Sequence, residues 1–237
     1  KRISKFKKKF WKYIMNNFSQ RIISSAVLLL ILSISLFYNK YLWLFVLILA
    51  SLVLFIEFNN LTKKIWKKKK NIIVFVNISS LLMLIILIFV SFESYNKPPV
   101  GLLFIILICI SSDTGGYVVG NLIGGRKLTK ISPKKTISGS IGSFIFSLFP
   151  ILIFLFYYEF STDDNYFSMY LTNSYYYLAP VCLFLSLICQ LGDLFISYFK
   201  RKAKVNDTGS ILPGHGGLLD RIDGVIFVIP AAYLVDK

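Results

Sequence analysis

Runs of about 20 apolar residues recur along this chain, and no soluble fold absorbs such runs repeatedly. A helix needs about 20 mostly apolar residues to cross a hydrocarbon core about 30 Å thick. Within lipid, only helices and closed barrels satisfy their own backbone groups. Seven runs are candidates: Ile22–Tyr38, Tyr41–Phe58, Ile72–Phe92, Val100–Val119, Ile141–Phe160, Tyr175–Phe199 and Ile222–Val235. The fourth contains Ser111, Ser112, Asp113, Gly115 and Gly116, which leaves open a break part way along it. The last is short and contains Pro230. The chain begins at Lys1 rather than Met, so trimming at either end stays open. Over 237 residues it is 56% hydrophobic and 16% charged, against about 45–50% and about 25% in soluble domains. Those figures exclude a soluble globular domain, a disordered chain and a collagen or coiled-coil rod. Cys109, Cys182 and Cys189 all lie inside apolar runs and read as reduced core thiols. The expected fold is all-α: a polytopic integral membrane protein of about seven transmembrane helices, plus an N-terminal amphipathic basic helix.

Charge distribution orients the chain. The sequence carries 27 Lys+Arg against 11 Asp+Glu, a net charge of +16. Twenty-four of the 27 basic residues fall before the first run, between the second and third, between the fourth and fifth, and between the sixth and seventh. In a seven-span chain those segments share one side, and basic residues concentrate on the cytoplasmic side. The expectation is an N-terminus and four basic segments in the cytoplasm, in a bacterial inner membrane. Because the excess charge follows topology, nucleic acid is not an expected partner. Lys1–Arg21 interleaves basic residues with Phe6, Phe10, Trp11, Tyr13 and Ile14, which suits a helix on anionic lipid. The chain divides into this segment (1–21), N-terminal membrane helices (22–99) and a motif-bearing region (100–237).

With so few acids, their positions are informative. Glu57, Glu93, Glu159, Asp163, Asp164 and Asp236 read as ordinary residues at span ends or outside them. Asp113, Asp193, Asp207, Asp220 and Asp223 lie at cytoplasmic span ends or loops, among Gly, Ser, Thr, Lys and Arg. Asp193 sits within Leu-Ile-Cys-Gln-Leu-Gly-Asp-Leu-Phe, and an ionisable group at membrane depth usually faces a partner, a cavity or an ion. Asp220 and Asp223, three apart, would share a helix face and repel unless a cation stands by them. A helix N-terminus accounts for one such acid; a hard divalent cation accounts for both together with Asp193.

Two glycine-rich segments accompany these acids. Ile211–Leu218 sets Gly214, Gly216 and Gly217 around His215, the single histidine. Glycine permits close backbone approach, and successive N–H groups in such turns can hold anions. The other segment runs from Asn121 through Ser132, Lys134, Lys135 and Thr136 to Gly139; it does not match a Walker A loop. Carboxylates, cations and glycine loops on one membrane face compose a metal-assisted phosphoryl or nucleotidyl transfer site. Its substrate could be a lipid.

The stretch Ser197-Tyr-Phe-Lys200-Arg201, followed by Asp207-Thr-Gly-Ser-Ile-Leu-Pro-Gly-His215-Gly-Gly-Leu-Leu-Asp220-Arg221-Ile-Asp223, resembles the C-terminal pattern of phosphatidate cytidylyltransferases (CDP-diacylglycerol synthases). Asp113-Thr-Gly-Gly-Tyr, Ser132-Pro-Lys-Lys-Thr136 and Gln190-Leu-Gly-Asp193-Leu resemble further motifs of that family. The resemblance implies the reaction of CTP with phosphatidic acid to give CDP-diacylglycerol and pyrophosphate. It implies Mg²⁺, with a second cation open, and a homodimer. It implies Asp193, Asp220 and Asp223 as metal ligands, with Lys200, Arg201 and His215 also catalytic. Asp113, Ser132, Lys134, Lys135, Thr136, Asp207, Gly214, Gly216, Gly217 and Arg221 would bind substrate. Asn206, Ile196 and Ser138 depart from the usual pattern. The alternatives are a CTP-dependent polyprenol or phytol kinase and a non-catalytic lipid-binding scaffold or transporter.

Overall fold

The computed structural model describes residues 23–95, 100–160, 166–212 and 216–235. Every named element among them is a helix. They are α1 (Ile23–Tyr38), α2 (Lys40–Ile65), α3 (Lys70–Ser94), α4 (Val100–Ile123), α5 (Ile137–Phe146), α6 (Phe149–Phe160), α7 (Tyr166–Ala203), α8 (Leu219–Ile222) and α9 (Val225–Val235). The basic segment before α1, expected to be an amphipathic helix, lies outside the described residues.

All seven apolar runs fall on helices. Among the described residues, five stretches are long and apolar enough to span a bilayer: α2, α3, α4, the α5–α6 pair over Ile137–Phe156, and Tyr177–Ala203 of α7. The two end helices, α1 and the 11-residue α9, are shorter. Phe75, Leu82 and Phe89 of α3 are all more than half exposed, and an apolar surface on that scale marks contact with lipid or a partner.

Local chemistry sets the helix ends. Asn39 caps α2, its Oδ1 accepting from the Tyr41 N–H at 2.9 Å. Lys63 and Lys64 in the last turn of α2 oppose the negative end of its dipole. The break left open at Ser111–Gly116 does not occur: α4 runs unbroken to Ile123. The small residues there serve packing instead. A Cβ on Gly115 would stand 2.6 Å from the Gly142 carbonyl oxygen of α5, so the two helices touch backbone to backbone. The fifth run, expected as one helix from Ile141, starts earlier and divides. Ser147 caps α5, and α6 opens with Pro150 as its second residue. Proline lacks an N–H and its ring crowds the carbonyl four residues back, which favours a helix start at that point.

α7 and α9 join two cores. On one side Leu54 and Phe58 of α2 and Leu84 and Leu87 of α3 meet Ile196, Phe199, Ile226 and Ile229. On the other, Phe104 and Ile108 of α4 and Phe154 of α6 meet Cys182, Leu185 and Val228. Between α2 and α3, Asn77 Nδ2 donates to Asn59 Oδ1 at 2.8 Å, and Thr62 Oγ1 donates to Asn77 Oδ1 at 3.0 Å. Such interhelical bonds in membranes contribute about 0.6 kcal/mol each. Three basic connections gather at one end of the bundle. Lys202 Nζ lies 5.3 Å from the Trp66 ring centre at the α2–α3 turn. Arg201 Nε donates to the Ile131 carbonyl at 3.4 Å.

Candidate active site

At this basic end a cavity of about 420 Å³ opens between α4, α5, α7 and the α4–α5 loop. α4 contributes Asp113, Gly116, Tyr117, Gly120 and Asn121, and α7 contributes Gln190 and Asp193. Lys134, Lys135 and Thr136 enter from the loop, and Gly139, Ser140 and Ser143 from α5. The loop folds back on itself. Leu128 N–H donates to the Lys135 carbonyl at 2.9 Å, and Ile137 N–H to the Arg126 carbonyl at 3.0 Å. A turn closes it, with Lys135 N–H donating to the Ser132 carbonyl at 3.1 Å. Thr136 then caps α5, its Oγ1 accepting from the Gly139 N–H at 3.1 Å. The start of α5 therefore forms part of the cavity wall, and helix starts favour anions.

On the opposite wall, Lys135 forms an ion pair with Asp193. Ser197 Oγ donates to Asp193 Oδ1 at 3.2 Å. Asp223, 8% exposed at the approach to α9, brings its carboxyl to hydrogen-bonding range of Asp193 and into electrostatic range of Asp113. Ser140 Oγ donates to Gln190 Oε1 at 2.5 Å, tying α5 to α7.

Asp220 belongs to a second cluster. Lys200 Nζ donates to its Oδ1 at 2.8 Å. Its Oδ2 accepts from Thr208 N–H at 2.7 Å, from Thr208 Oγ1 at 3.0 Å and from Gly217 N–H at 3.1 Å. Burial by itself raises this carboxyl. The Lys200 hydrogen bond, the Thr208 N–H, the Lys200 charge and the Gly217 N–H outweigh it, holding Asp220 below the ordinary carboxylate range.

The cytidylyltransferase family matches this chain over residues 22–236. The chain belongs to that family. It is 37% identical over 220 residues to the phosphatidate cytidylyltransferase of Rickettsia typhi (strain ATCC VR-144 / Wilmington), covering 92% of this chain and 91% of that one. With the protein of the same description from Rickettsia prowazekii (strain Madrid E) it is 36% identical over 224 residues, covering 93% and 92%. The phosphatidate cytidylyltransferase of Bacillus subtilis (strain 168) is 41% identical over 147 residues, covering 60% of this chain and 51% of that protein.

In this cytidylyltransferase-family chain, the candidate residues divide between the two clusters. Asp113, Lys134, Lys135, Thr136 and Asp193 line the cavity, and Asp223 is within electrostatic reach of Asp193 and Asp113. Lys200, Asp220 and Gly217 make the second cluster, with Asp207 packed against Gly216, where a Cβ would stand 3.0 Å from its own. Ser132 shapes the loop turn rather than the cavity wall. Arg201 reaches the Ile131 carbonyl, and Arg221 is exposed. Gly214 and His215 lie outside the described residues. Although three apart, Asp220 and Asp223 take different partners, so the shared face expected from spacing does not bring their carboxylates together.

Among the described residues, no three His, Cys, Asp or Glu side chains form a ready metal-binding group. Asp193 and Asp223 nevertheless converge, with Asp113 within electrostatic reach and Lys135 paired to one of them. Mg²⁺ commonly takes one or two carboxylates and completes its shell with water and substrate phosphates. The donor chemistry of this pair fits that ion.

From its place in the sequence Glu57 is expected to be an ordinary span-end acid. It is in fact 2% exposed and accepts three hydrogen bonds from the segment around Asp220. The signal that drew attention to Asp193, an acid inside an apolar run, applied equally to Glu57. Tyr117, Ser140 and Gln190 also line the cavity; Tyr117 and Gln190 stand in the motifs that carry the family resemblance, without an assigned role, and nothing in type or spacing marks Ser140.

Proposed function

We propose that the cavity between α4, α5 and α7 holds the reacting phosphates of CTP and phosphatidic acid. The protein is a membrane-embedded nucleotidyltransferase that makes CDP-diacylglycerol. In the reaction, a phosphate oxygen of phosphatidic acid forms a bond to the α-phosphorus of CTP. The bond from that phosphorus to the α–β bridging oxygen breaks, and pyrophosphate leaves. The lipid phosphate is already an anion near neutral pH, so no side chain has to deprotonate a hydroxyl. The demand on the protein is to position two polyanions and neutralise their charge.

One observation carries the assignment of the site: Lys134, Lys135 and the start of α5 line one polar cavity with Asp113 and Asp193 at the basic end of the bundle, and Lys135 pairs with Asp193 there. Lys134 and Lys135 would hold triphosphate oxygens, and the capped start of α5 would receive a phosphate. Asp193 and Asp223, with Asp113 near them, would hold Mg²⁺. When bound, that ion would supply charge neutralisation between carboxylates and polyphosphate. The Lys200–Asp220 cluster would fix the segment around Thr208 and Gly217.

A multi-pass protein of the bacterial inner membrane, with its N-terminus and basic loops cytoplasmic, fits the basic count and places the cavity where CTP is found. A homodimer is proposed on the resemblance alone. The test uses purified protein in detergent with phosphatidic acid, Mg²⁺ and CTP labelled at the α-phosphate. Label moving into lipid, and lost with Asp193→Asn, is the expected result. Label staying out of lipid, while γ-labelled CTP marks a lipid alcohol, would replace the reading with a lipid kinase.

A further inference from the structure

Glu57 lies on α2, outside the stretch 111–224 that carries the sequence motifs. Its carboxylate is 2% exposed, and burying an ionised carboxylate is costly unless it is hydrogen-bonded. Thr208 Oγ1 donates to Glu57 Oε2 at 3.0 Å. Leu218 N–H donates to Oε1 at 3.0 Å and Leu219 N–H to Oε2 at 2.9 Å. Those two amides lie at the entry to α8, where backbone N–H groups have no partner within the helix. The chain is also cut away to admit the carboxylate. A Cβ on Gly217 would stand 2.5 Å from Glu57 Oε2, and one on Gly209 would stand 2.5 Å from Oε1. Thr208 Oγ1 lies 3.0 Å from both Glu57 Oε2 and Asp220 Oδ2, so its single proton serves one acid at a time and the two compete for it. Asp220 in turn accepts from Lys200 of α7.

We propose that Glu57 is a positioning residue for cytidylyl transfer: it clamps the turn at 217–219 and thereby sets where Asp220 and the following Asp223 stand. This rests on the reading that the 207–223 segment serves the reaction. Glu57 lines no part of the polar cavity and acts only through the turn. α2 is then more than a membrane anchor, because it supplies the fixed point against which the glycine segment is held.

The test compares wild type, Glu57→Gln and Glu57→Asp, purified in detergent. Glutamine keeps the size but turns an NH₂ towards groups that donate. The loss of a buried hydrogen bond to a charged group, about 1.5–3 kcal/mol, corresponds to about 10- to 150-fold in rate. Glu57→Gln should lower kcat by that factor and change KM for CTP by less than about threefold. Backbone hydrogen exchange over 216–222 should accelerate about tenfold or more in the same protein. Glu57→Asp, which keeps the charge, should recover part of both. A Glu57→Gln protein with wild-type kcat overturns the proposal, as does a fall in kcat without faster exchange. If wild type transfers no cytidylyl group, the reading of the reaction fails separately. Unchanged exchange over 216–222 would then overturn the clamp itself.

Discussion

Lys135, on the loop that leads into α5, forms an ion pair with Asp193 in the last third of the long helix α7. The pair puts a loop cation that lines the cavity against an acid that Asp223 also reaches electrostatically. A cation and acids left adjacent to open space form a site that substrate can rearrange: polyphosphate can take the lysine, and a metal ion can take the carboxylates.

Replacing Lys135 should therefore damage catalysis more than folding. Lys135→Ala is expected to lower kcat/KM for CTP by about 100-fold, or about 2.7 kcal/mol, while the thermal unfolding temperature in detergent changes little. Steady-state transfer assays beside an unfolding scan check both halves. Wild-type kcat/KM would remove Lys135 from the site.

Chelation and restoration test the proposed ion. EDTA should abolish transfer and Mg²⁺ should restore it. Asp193→Asn should abolish turnover at every Mg²⁺ concentration, because it removes a ligand and the partner of Lys135 together. Asp223→Asn should lower turnover and raise the Mg²⁺ concentration needed for half-maximal rate by about tenfold. A Mg²⁺ titration of the three proteins reads the difference.

Asp220 makes a prediction about pH. Its carboxyl is held low in the folded protein, the Lys200 and backbone hydrogen bonds outweighing burial. A carboxylate lowered on folding contributes stability that is fully present above its unfolded value of about 4. That contribution is lost as pH falls through the lower folded value. The unfolding temperature of wild type should exceed that of Asp220→Asn by a constant margin from about pH 5 to 7. The margin should narrow below about pH 4. Scans of both proteins across that range provide the check, and a margin that widens on acidification contradicts the charge assignment.

The contact between α4 and α5 is steric and should respond to one methyl group. Gly115→Ala puts a Cβ 2.6 Å from the Gly142 carbonyl, and overpacking of this kind costs about 1–3 kcal/mol. Gly101→Ala, where a Cβ meets nothing within 4 Å, should leave the unfolding temperature at or above wild type. Equal behaviour of the two variants would mean that the helices do not approach so closely.

Topology can be read by labelling. In a background with Cys109, Cys182 and Cys189 replaced, Lys68→Cys at the α2–α3 turn should react with an impermeant reagent only from the cytoplasmic side. Tyr38→Cys, 79% exposed at the end of α1, should react only from the other side. The reverse pattern would invert the orientation drawn from the basic residues.

Much of the architecture follows from periodic and compositional signals. The apolar runs locate the helices because hydrocarbon admits no unsatisfied backbone. Among the described residues, three basic segments gather at one end, as Lys202 near Trp66 and Arg201 on the Ile131 carbonyl show. The division of α5 from α6 is less legible: Pro150 marks a place where a helix can break, but Pro180 and Pro230 stand inside continuous helices.

What the sequence determined by itself was the class of site. Asp193 within an apolar run, the lysines of the α4–α5 loop and the 197–223 pattern each carry their signal locally, in residue type and spacing. Tertiary structure alone decided which acids meet. Asp223 turns to Asp193 and Asp113, while Asp220, three residues earlier, is taken by Lys200 and Thr208. It also brought Glu57 against Leu218, 161 residues away in the chain. The reason is physical: a carboxylate's role depends on the donors and charges within a few ångströms of it, and in a helical bundle those neighbours come from other helices. Spacing along one helix limits where a side chain can point, but only the packing of α2, α4, α7 and α9 around it supplies what it meets.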